Sequence, residues 1–133
     1  VKEASGNAAV AARIAAQCGE DLTIYSGEDN MTLALMALGG KGVISVFSNA
    51  LPRQMHDLAA AMLQGDLDTA RKLNNQYMDL MDGFFLDVNP IPIKEALYQM
   101  GLISSNFCRL PLTTMTEDGA GKLLAMLKAH QLA

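Results

Sequence analysis

Short apolar blocks alternate with polar residues over the first half of the chain, and their spacing changes between helix and strand. Residues 7–18 are rich in alanine and carry apolar side chains at helical spacing, which predicts a helix that Asn7 caps and Gly19 ends. Residues 22–25 are a short β-prone run that stops at Ser26. The first block therefore predicts a helix followed by a strand.

A second helix and a third strand follow in the same alternation. Asp29 or Asn30 is the predicted cap of a helix that carries Met31, Leu35 and Leu38. Residues 39–42, Gly-Gly-Lys-Gly, could suggest a phosphate loop, but such a loop follows a strand and opens a helix. Here a helix comes before and a strand follows, so we predict a helix end and a turn. Residues 42–47 are an apolar run interrupted only by Ser45, which is typical of a strand buried on both faces. Strands separated by helices of about ten residues predict βαβ units and a parallel sheet.

The second half of the chain carries longer helical stripes. Apolar residues run from Leu51 to Leu63 and from Leu67 to Phe84 at helical spacing, with Gly65 between them. Residues 89–92 break the chain before a short helix, and Thr116 is the predicted cap of the last one. A parallel sheet of so few strands needs neighbours and cover on both faces. We therefore expect further strands, from another chain or from a segment before Val1.

Composition excludes several classes of function. The chain has 133 residues, 50% of them hydrophobic, and a net charge of −4, which fits one ordinary soluble domain or a piece of a larger one. It has no Lys–Arg cluster for nucleic acid, no apolar run of ~18 residues for a membrane helix, and no signal peptide in its first residues. Cys18 and Cys108 are far apart and near no His pair, which favours a reduced, cytoplasmic protein over a disulfide or metal framework.

Lys2 and Gly27 are the candidates for chemistry. In barrel enzymes the catalytic groups lie at the carboxyl ends of the strands, where Lys2 would be placed. An apolar barrel interior would favour the uncharged amine of the lysine, which can attack a carbonyl. By position alone, however, a solvated lysine near a terminus is the better interpretation of Lys2. Gly27 follows a strand and would admit a small substrate, but from the pattern alone a turn with a helix cap is the better interpretation. His56 and His130 lack partners at ligand spacing, which favours structural or surface roles.

Five segments in order resemble one family, the dihydrodipicolinate synthases. They are the Val-Lys-Glu-Ala-Ser-Gly-Asn start, the Ser-Gly-acid-acid loop, the Gly-Val-Ile-Ser-Val strand, the Asn-Pro-Ile-Pro-Ile-Lys segment and the Arg-Leu-Pro-Leu linker, at residues 1–7, 26–29, 42–46, 89–94 and 109–112. The resemblance implies an α/β fold, the C-terminal portion of a TIM (β/α)8 barrel followed by extra C-terminal helices. Residues 1–64 would hold the last βα units, and residues 65–133 the helical region.

The resemblance also implies roles for three residues. Lys2 would form a Schiff base with pyruvate, and the derived enamine would condense with aspartate semialdehyde to give 4-hydroxy-tetrahydrodipicolinate for lysine and diaminopimelate biosynthesis. The backbone at Ile44 would lie against the bound pyruvate, and Gly27 would line the same pocket. The family implies no cofactor and no metal, a cytoplasmic location, and a homo-oligomer that is a dimer or a tetramer.

Two alternatives remain open at this point. N-acetylneuraminate lyases and 2-keto-3-deoxy sugar-acid aldolases share the lysine and the fold, although residues 3–6 and 89–94 favour the synthase. The second alternative is a catalytically inactive half-barrel fragment. The family's proton-relay tyrosines and threonine, its substrate-carboxylate arginine and its lysine-feedback site lie in the N-terminal half of the barrel. That half is the partner we expect this chain to need.

Overall fold

The computed structural model describes all residues, Val1–Ala133, and they form two compact units, Val1–Tyr77 and Met78–Ala133. The predicted division at residue 64 stays a prediction. The regular elements are β1 Lys2–Glu3, α1 Ala8–Cys18, β2 Tyr25–Ser26, α2 Thr32–Ala37, α3 Pro52–Gln64, α4 Leu67–Gly83, α5 Ile91–Gln99 and α6 Glu117–Ala129. Short 3-10 helices lie at Gly19–Asp21, Asp29–Met31 and Phe47–Asn49. No helix is long and apolar enough to cross a membrane.

The sheet of the first unit is parallel and is built around β2. Lys2 pairs with Tyr25 and Glu3 with Ser26, so β1 and β2 run side by side in the same direction. On the other edge of β2, Ser26 forms a single parallel bridge with Val43. The three paired segments follow chain order with a helix between each pair, and the predicted parallel βαβ arrangement is confirmed.

The third strand is much shorter than predicted. Only Val43 belongs to the ladder, and the side chain of Ile44 is 49% exposed. This segment pairs along one edge alone, with Ser26, whereas a strand buried on both faces needs two neighbours. By Phe47 the backbone has turned into a 3-10 helix. The prediction of a regular buried strand over residues 42–47 is therefore wrong for this structure.

Helix α1 packs against α2 and against Ile24, the residue before β2. The side-chain oxygen of Asn7 accepts a hydrogen bond from the amide of Ala9 at 2.9 Å, which caps the helix. Gly19, at a φ of +53°, ends it. The buried core beneath α1 is a cluster of three residues with three more apolar side chains packed against it: Ala11, Ile24 and Leu35, with Ile14, Ala15 and Met31.

Helices α2 and α3 pack against each other in the first unit. The buried stripe of α3 consists of Met55, Leu58 and Ala61. Leu63, which the sequence places in this stripe, is 62% exposed, so that part of the prediction is wrong. Two residues after Ala61, it points to the far side of a helix that turns about 100° per residue. Gly65 ends α3 in the left-handed conformation, as predicted.

The second unit has its own core and its own polar anchors. Helices α5 and α6 pack together, and the hydroxyl of Thr116 caps α6 by accepting from the Gly119 amide. Glu95 is buried, and its carboxylate accepts from the side-chain amides of Asn106 at 2.6 Å and Gln99 at 2.7 Å. This network ties α5 to the segment that precedes α6. The buried apolar residues of the unit include Leu80, Met81, Phe84, Ile91, Ile93, Ala96, Leu123 and Leu127.

Gly65 and Gly121 both have open space around them but differ in backbone conformation, so substitutions at the two positions test the effect of conformation without a change in packing. Gly65 has a φ of +78°, Gly121 lies inside α6, and a Cβ on either would meet nothing within 4 Å. We expect Gly65→Ala to lower the free energy of unfolding by about 1 kcal/mol, because a Cβ strains the left-handed conformation. Gly121→Ala is the matched control and should raise it by about 0.5–1 kcal/mol. Urea unfolding at one chain concentration measures the free energy of unfolding of both variants. Changes of the same sign would contradict the left-handed conformation of Gly65.

Candidate active site

Lys2 and Gly27 meet at the ends of neighbouring strands. Lys2 is exposed in β1, and Gly27 directly follows β2. The Gly27 amide donates to the carbonyl oxygen of Glu3 at 2.6 Å, which draws the two backbones together. A Cβ built on Gly27 would lie 3.0 Å from Cε of Lys2, so the lysine side chain passes directly over this glycine. The parallel register thus places a primary amine beside a bare stretch of backbone.

Position 27 is occupied by glycine because its neighbours leave no space for a Cβ. A Cβ at this position would lie 2.5 Å from Cβ of Ala4 and 2.9 Å from the Glu3 carbonyl oxygen, and no positive φ requires glycine here. The turn that the sequence suggests is therefore not the reason for this residue. The reason is the close approach of the loop after β1, which the sequence signals only through the small residue at position 4.

Ile44 lies on the opposite edge of β2 from Lys2. Its amide donates to the Ser26 carbonyl oxygen at 2.8 Å, and the Ser26 amide donates to Gly42 at 2.9 Å. The side chain is half exposed, while its backbone is held in the ladder. The three predicted site residues, Lys2, Gly27 and Ile44, thus lie at the ends of adjacent parallel segments, with Gly27 at the end of the central one. Their roles in chemistry stay predictions.

The sequence predicts Asp29 as a helix cap, and that prediction is wrong. Its side chain is 1% exposed, and Oδ2 accepts from the amides of Val46 at 3.0 Å and Phe47 at 2.9 Å. Neither Asp29 nor Asn30 caps α2, whose first turn has no side-chain cap. Sequence reasoning missed this contact because it joins residues 17 and 18 positions apart. An aspartate after a strand and before a helix gives no local signal that distinguishes it from a cap.

The environment of Asp29 sets its titration. Burial raises the pKa of its carboxyl above the ordinary value of 3.8, and this effect outweighs the others. The Ser45 hydroxyl, the Phe47 and Val46 amides and the positive charge of Lys2 act in the opposite direction and lower the pKa. The same carboxylate therefore interacts with the end of the third segment and lies within the electrostatic reach of Lys2.

Two further carboxylates surround the loop after β1. Glu3 alternates with Lys2 along β1, is buried, and accepts from the Ser5 amide at 2.9 Å. Glu28 places its Oε2 3.4 Å from where a Cβ of Gly6 would lie, and Gly6 has a φ of +67°. An amine, bare backbone at Gly27 and nearby carboxylates are groups suited to nucleophilic attack on a small carbonyl compound.

Comparison with known proteins points to one family. The family model described as the dihydrodipicolinate synthetase family matches residues 1–130. The chain is 45% identical over 132 residues to a 4-hydroxy-tetrahydrodipicolinate synthase from a Sulfurihydrogenibium species, and this match covers 99% of the chain and 45% of the relative. The chain thus spans less than half the length of this relative.

Solved structures agree with this match. The dihydrodipicolinate synthase from Aquifex aeolicus superposes with a TM-score of 0.93 at 40% identity, over 98% of this chain and 44% of that one. The chloride-inhibited enzyme from Acinetobacter baumannii, solved in complex with pyruvate, gives 0.93 at 35% identity, over 99% and 45%. These likenesses confirm the predicted fold class, the C-terminal portion of a (β/α)8 barrel followed by helices.

The close packing at Gly27 yields a test of the site's construction. Gly27→Ala should lower the free energy of unfolding by about 2 kcal/mol, because the new Cβ forces Ala4 and the Glu3 backbone to move. Adding Ala4→Gly removes the closest contact but leaves the Glu3 carbonyl, so the double variant should recover part of the loss. Urea unfolding of the parent and the three variants measures this coupling. Strictly additive effects of the two substitutions would contradict the described packing.

Proposed function

The chain belongs to the dihydrodipicolinate synthetase family, and from this premise we propose that it supplies the Schiff-base half of a 4-hydroxy-tetrahydrodipicolinate synthase. The observation that carries the proposal is the position of Lys2, whose side chain crosses the bare backbone of Gly27 at adjacent strand ends. In barrels of this kind the chemistry takes place at that end of the strands. The relatives described above support this synthase over its sister lyases.

The reaction begins on the amine of Lys2. Its nitrogen adds to the keto carbon of pyruvate, and loss of one water gives a protonated imine. The imine withdraws electrons, so the pyruvate methyl group loses a proton and an enamine forms. The enamine carbon attacks the aldehyde of L-aspartate 4-semialdehyde and forms the new carbon–carbon bond. The amino group of that substrate then displaces Lys2 from the imine carbon, which closes the ring and regenerates the free amine.

The neighbours of Lys2 suit the first of these steps. With no side chain on Gly27, the Lys2 side chain lies close against the backbone that follows β2, and its amine is held at the strand ends where we place the keto acid. We assign the backbone at Ile44 to the opposite wall of the pyruvate pocket, because the ladder through Ser26 holds it there. The pyruvate complex of the Acinetobacter baumannii relative, whose fold matches over nearly the whole of this chain, supports the choice of keto acid.

The proposal requires a partner segment. In the family the proton-relay tyrosines and threonine and the arginine for the substrate carboxylate lie in the N-terminal half of the barrel. In this structure β1 pairs with β2 alone, and the segment at Val43 pairs with Ser26 alone. The N–H and C=O groups on both outer edges of the sheet are therefore available to pair with further strands. We therefore assign those edges to the N-terminal strands, and we use "complete barrel" for the protein in which this chain and those strands are joined.

The assembly and its compartment follow from the same premise. We propose that the complete barrel forms a homo-oligomer, a dimer or a tetramer, as the family resemblance implies. Cys18 and Cys108 are free thiols, which is in keeping with a reducing compartment, and we place the protein in the cytoplasm.

Reductive trapping tests the role of Lys2. Pyruvate and borohydride should modify the complete barrel irreversibly at Lys2, because borohydride reduces the imine to a stable amine. Lys2→Arg should abolish the modification, since a guanidinium stays protonated and does not form the imine. Lys41→Arg is the matched control at an exposed lysine and should leave trapping unchanged. Peptide mass spectrometry locates the adduct, and trapping at a lysine other than Lys2 would refute the assignment.

The isolated chain provides a second test. We expect it to trap pyruvate inefficiently and to associate with itself, because the groups that move protons are absent and its sheet edges are unpaired. Size-exclusion chromatography measures association, and the borohydride assay measures trapping. Adding the N-terminal segment of the barrel should reduce the association and restore trapping. A monomeric chain that traps pyruvate on Lys2 as efficiently as the complete barrel would rule out the need for a partner.

A further inference from the structure

Asp29 is a buried carboxylate to which the proposed chemistry assigns no role. It lies three residues after Ser26, in the loop that leaves β2, and its side chain is almost wholly inaccessible. A buried carboxylate is costly unless strong donors surround it. Those donors come from another segment, the amides of Val46 and Phe47, both bound to a single oxygen, Oδ2.

The two amides belong to the segment that begins at Ile44. At its start, the Ile44 amide is fixed by the Ser26 carbonyl oxygen at 2.8 Å. At its end, Oδ2 of Asp29 holds Val46 at 3.0 Å and Phe47 at 2.9 Å. Between these anchors lie only the Ile44 carbonyl and Ser45. The orientation of that short stretch of backbone is therefore set from both sides by residues of one loop.

The loop that provides both anchors is itself held in shape. The Ser26 hydroxyl donates to the Glu28 carbonyl oxygen at 2.7 Å and accepts from the Glu28 amide at 3.3 Å. Both bonds span two residues and close a tight turn directly before Asp29. Because Gly27 lies within this turn and packs under Lys2, the wall beside the lysine and the anchor of the opposite wall share one rigid loop.

We propose that Asp29 is a positioning residue, which holds the Ile44 backbone at the pyruvate pocket through the amides of Val46 and Phe47. The inference rests on the proposed function, because it concerns the binding of pyruvate next to Lys2. Asp29 touches no reacting atom in this scheme. It acts by keeping one wall of the pocket at a fixed distance from the amine.

Three substitutions distinguish positioning from general stability. Asp29→Ala removes the acceptor, and Asp29→Ser keeps an oxygen too close to its own backbone to reach both amides. In either variant the Ile44 backbone loses one anchor, and the KM for pyruvate should rise by up to about 100-fold, because a misplacement of about 1 Å can cost that much. Asp29→Asn keeps a carbonyl oxygen for both amides, although neutral hydrogen bonds are weaker, so its KM should stay close to that of the parent.

The measurements are the KM for pyruvate in steady-state turnover and the pyruvate concentration dependence of borohydride trapping, both in the folded complete barrel. Asp21→Ala is the matched control at an exposed aspartate of the same unit. A raised KM in Asp29→Ala and Asp29→Ser, rescue by Asp29→Asn and no change in Asp21→Ala would support the inference. If Asp29→Ala does not fold, the Ser and Asn pair gives the same comparison.

Two results would overturn the inference, and they can be told apart. If the Ser and Ala variants trap pyruvate with the concentration dependence of the parent, Asp29 has a structural role alone. If the parent barrel traps no pyruvate at all, the proposed function fails, and the positioning role fails with it. Amide hydrogen exchange reports on the anchor itself. Val46 and Phe47 should exchange faster in Asp29→Ser than in Asp29→Asn, and equal exchange would count against the anchor.

Discussion

The backbone ladder through β2 is the constraint on which the rest of the first unit depends. Hydrogen bonds from the amides of Tyr25 and Gly27 fix β1 on one edge, and those that link Ser26 with Gly42 and Ile44 fix the third segment on the other. The register is strongly specified where one face is buried, because a slip by one residue would exchange the faces of every side chain. In the observed register Lys2 is exposed and Glu3 is buried, and such a slip would exchange them. The candidate site is therefore a consequence of strand pairing.

The burial of Asp29 makes the stability of the fold depend on pH in a definite direction. Burial raises the pKa of this carboxyl, so the folded chain binds a proton here more tightly than the unfolded chain does. The stabilisation from this group is therefore complete below the unfolded value and is lost as the pH rises through the raised folded value. Above the raised pKa, the ionised carboxylate of Asp29 no longer adds this stabilisation. What it provides is a fixed geometry for the segment after Ile44, which agrees with a role in positioning.

The sequence predicts features that local chemistry determines. Asn7, Gly19, Gly65 and Thr116 begin or end helices as expected, because a cap depends on a few adjacent residues. The third strand, by contrast, depends on which neighbours pair with it, and Asp29 depends on amides at the far end of that segment. Neither contact is encoded within a local window. Gly27 lies between these cases, since the sequence indicates a glycine at a strand end but not the steric reason for it, the approach of Ala4.

The proposed function divides the barrel into two chemical halves. The groups assigned to pyruvate, Lys2, Gly27 and the backbone at Ile44, lie within one continuous stretch of three parallel segments, held by one ladder and one buried carboxylate. In this proposal the chain keeps the amine and its keto acid aligned, whereas the proton transfers of the reaction, imine formation included, and the recognition of the aldehyde use groups from other strands. Sister lyases that share the lysine but differ in the aldehyde are then expected to vary mainly in those other strands. On this view the chain provides the part of the site that is common to pyruvate-dependent lyases, and the completing strands select the second substrate.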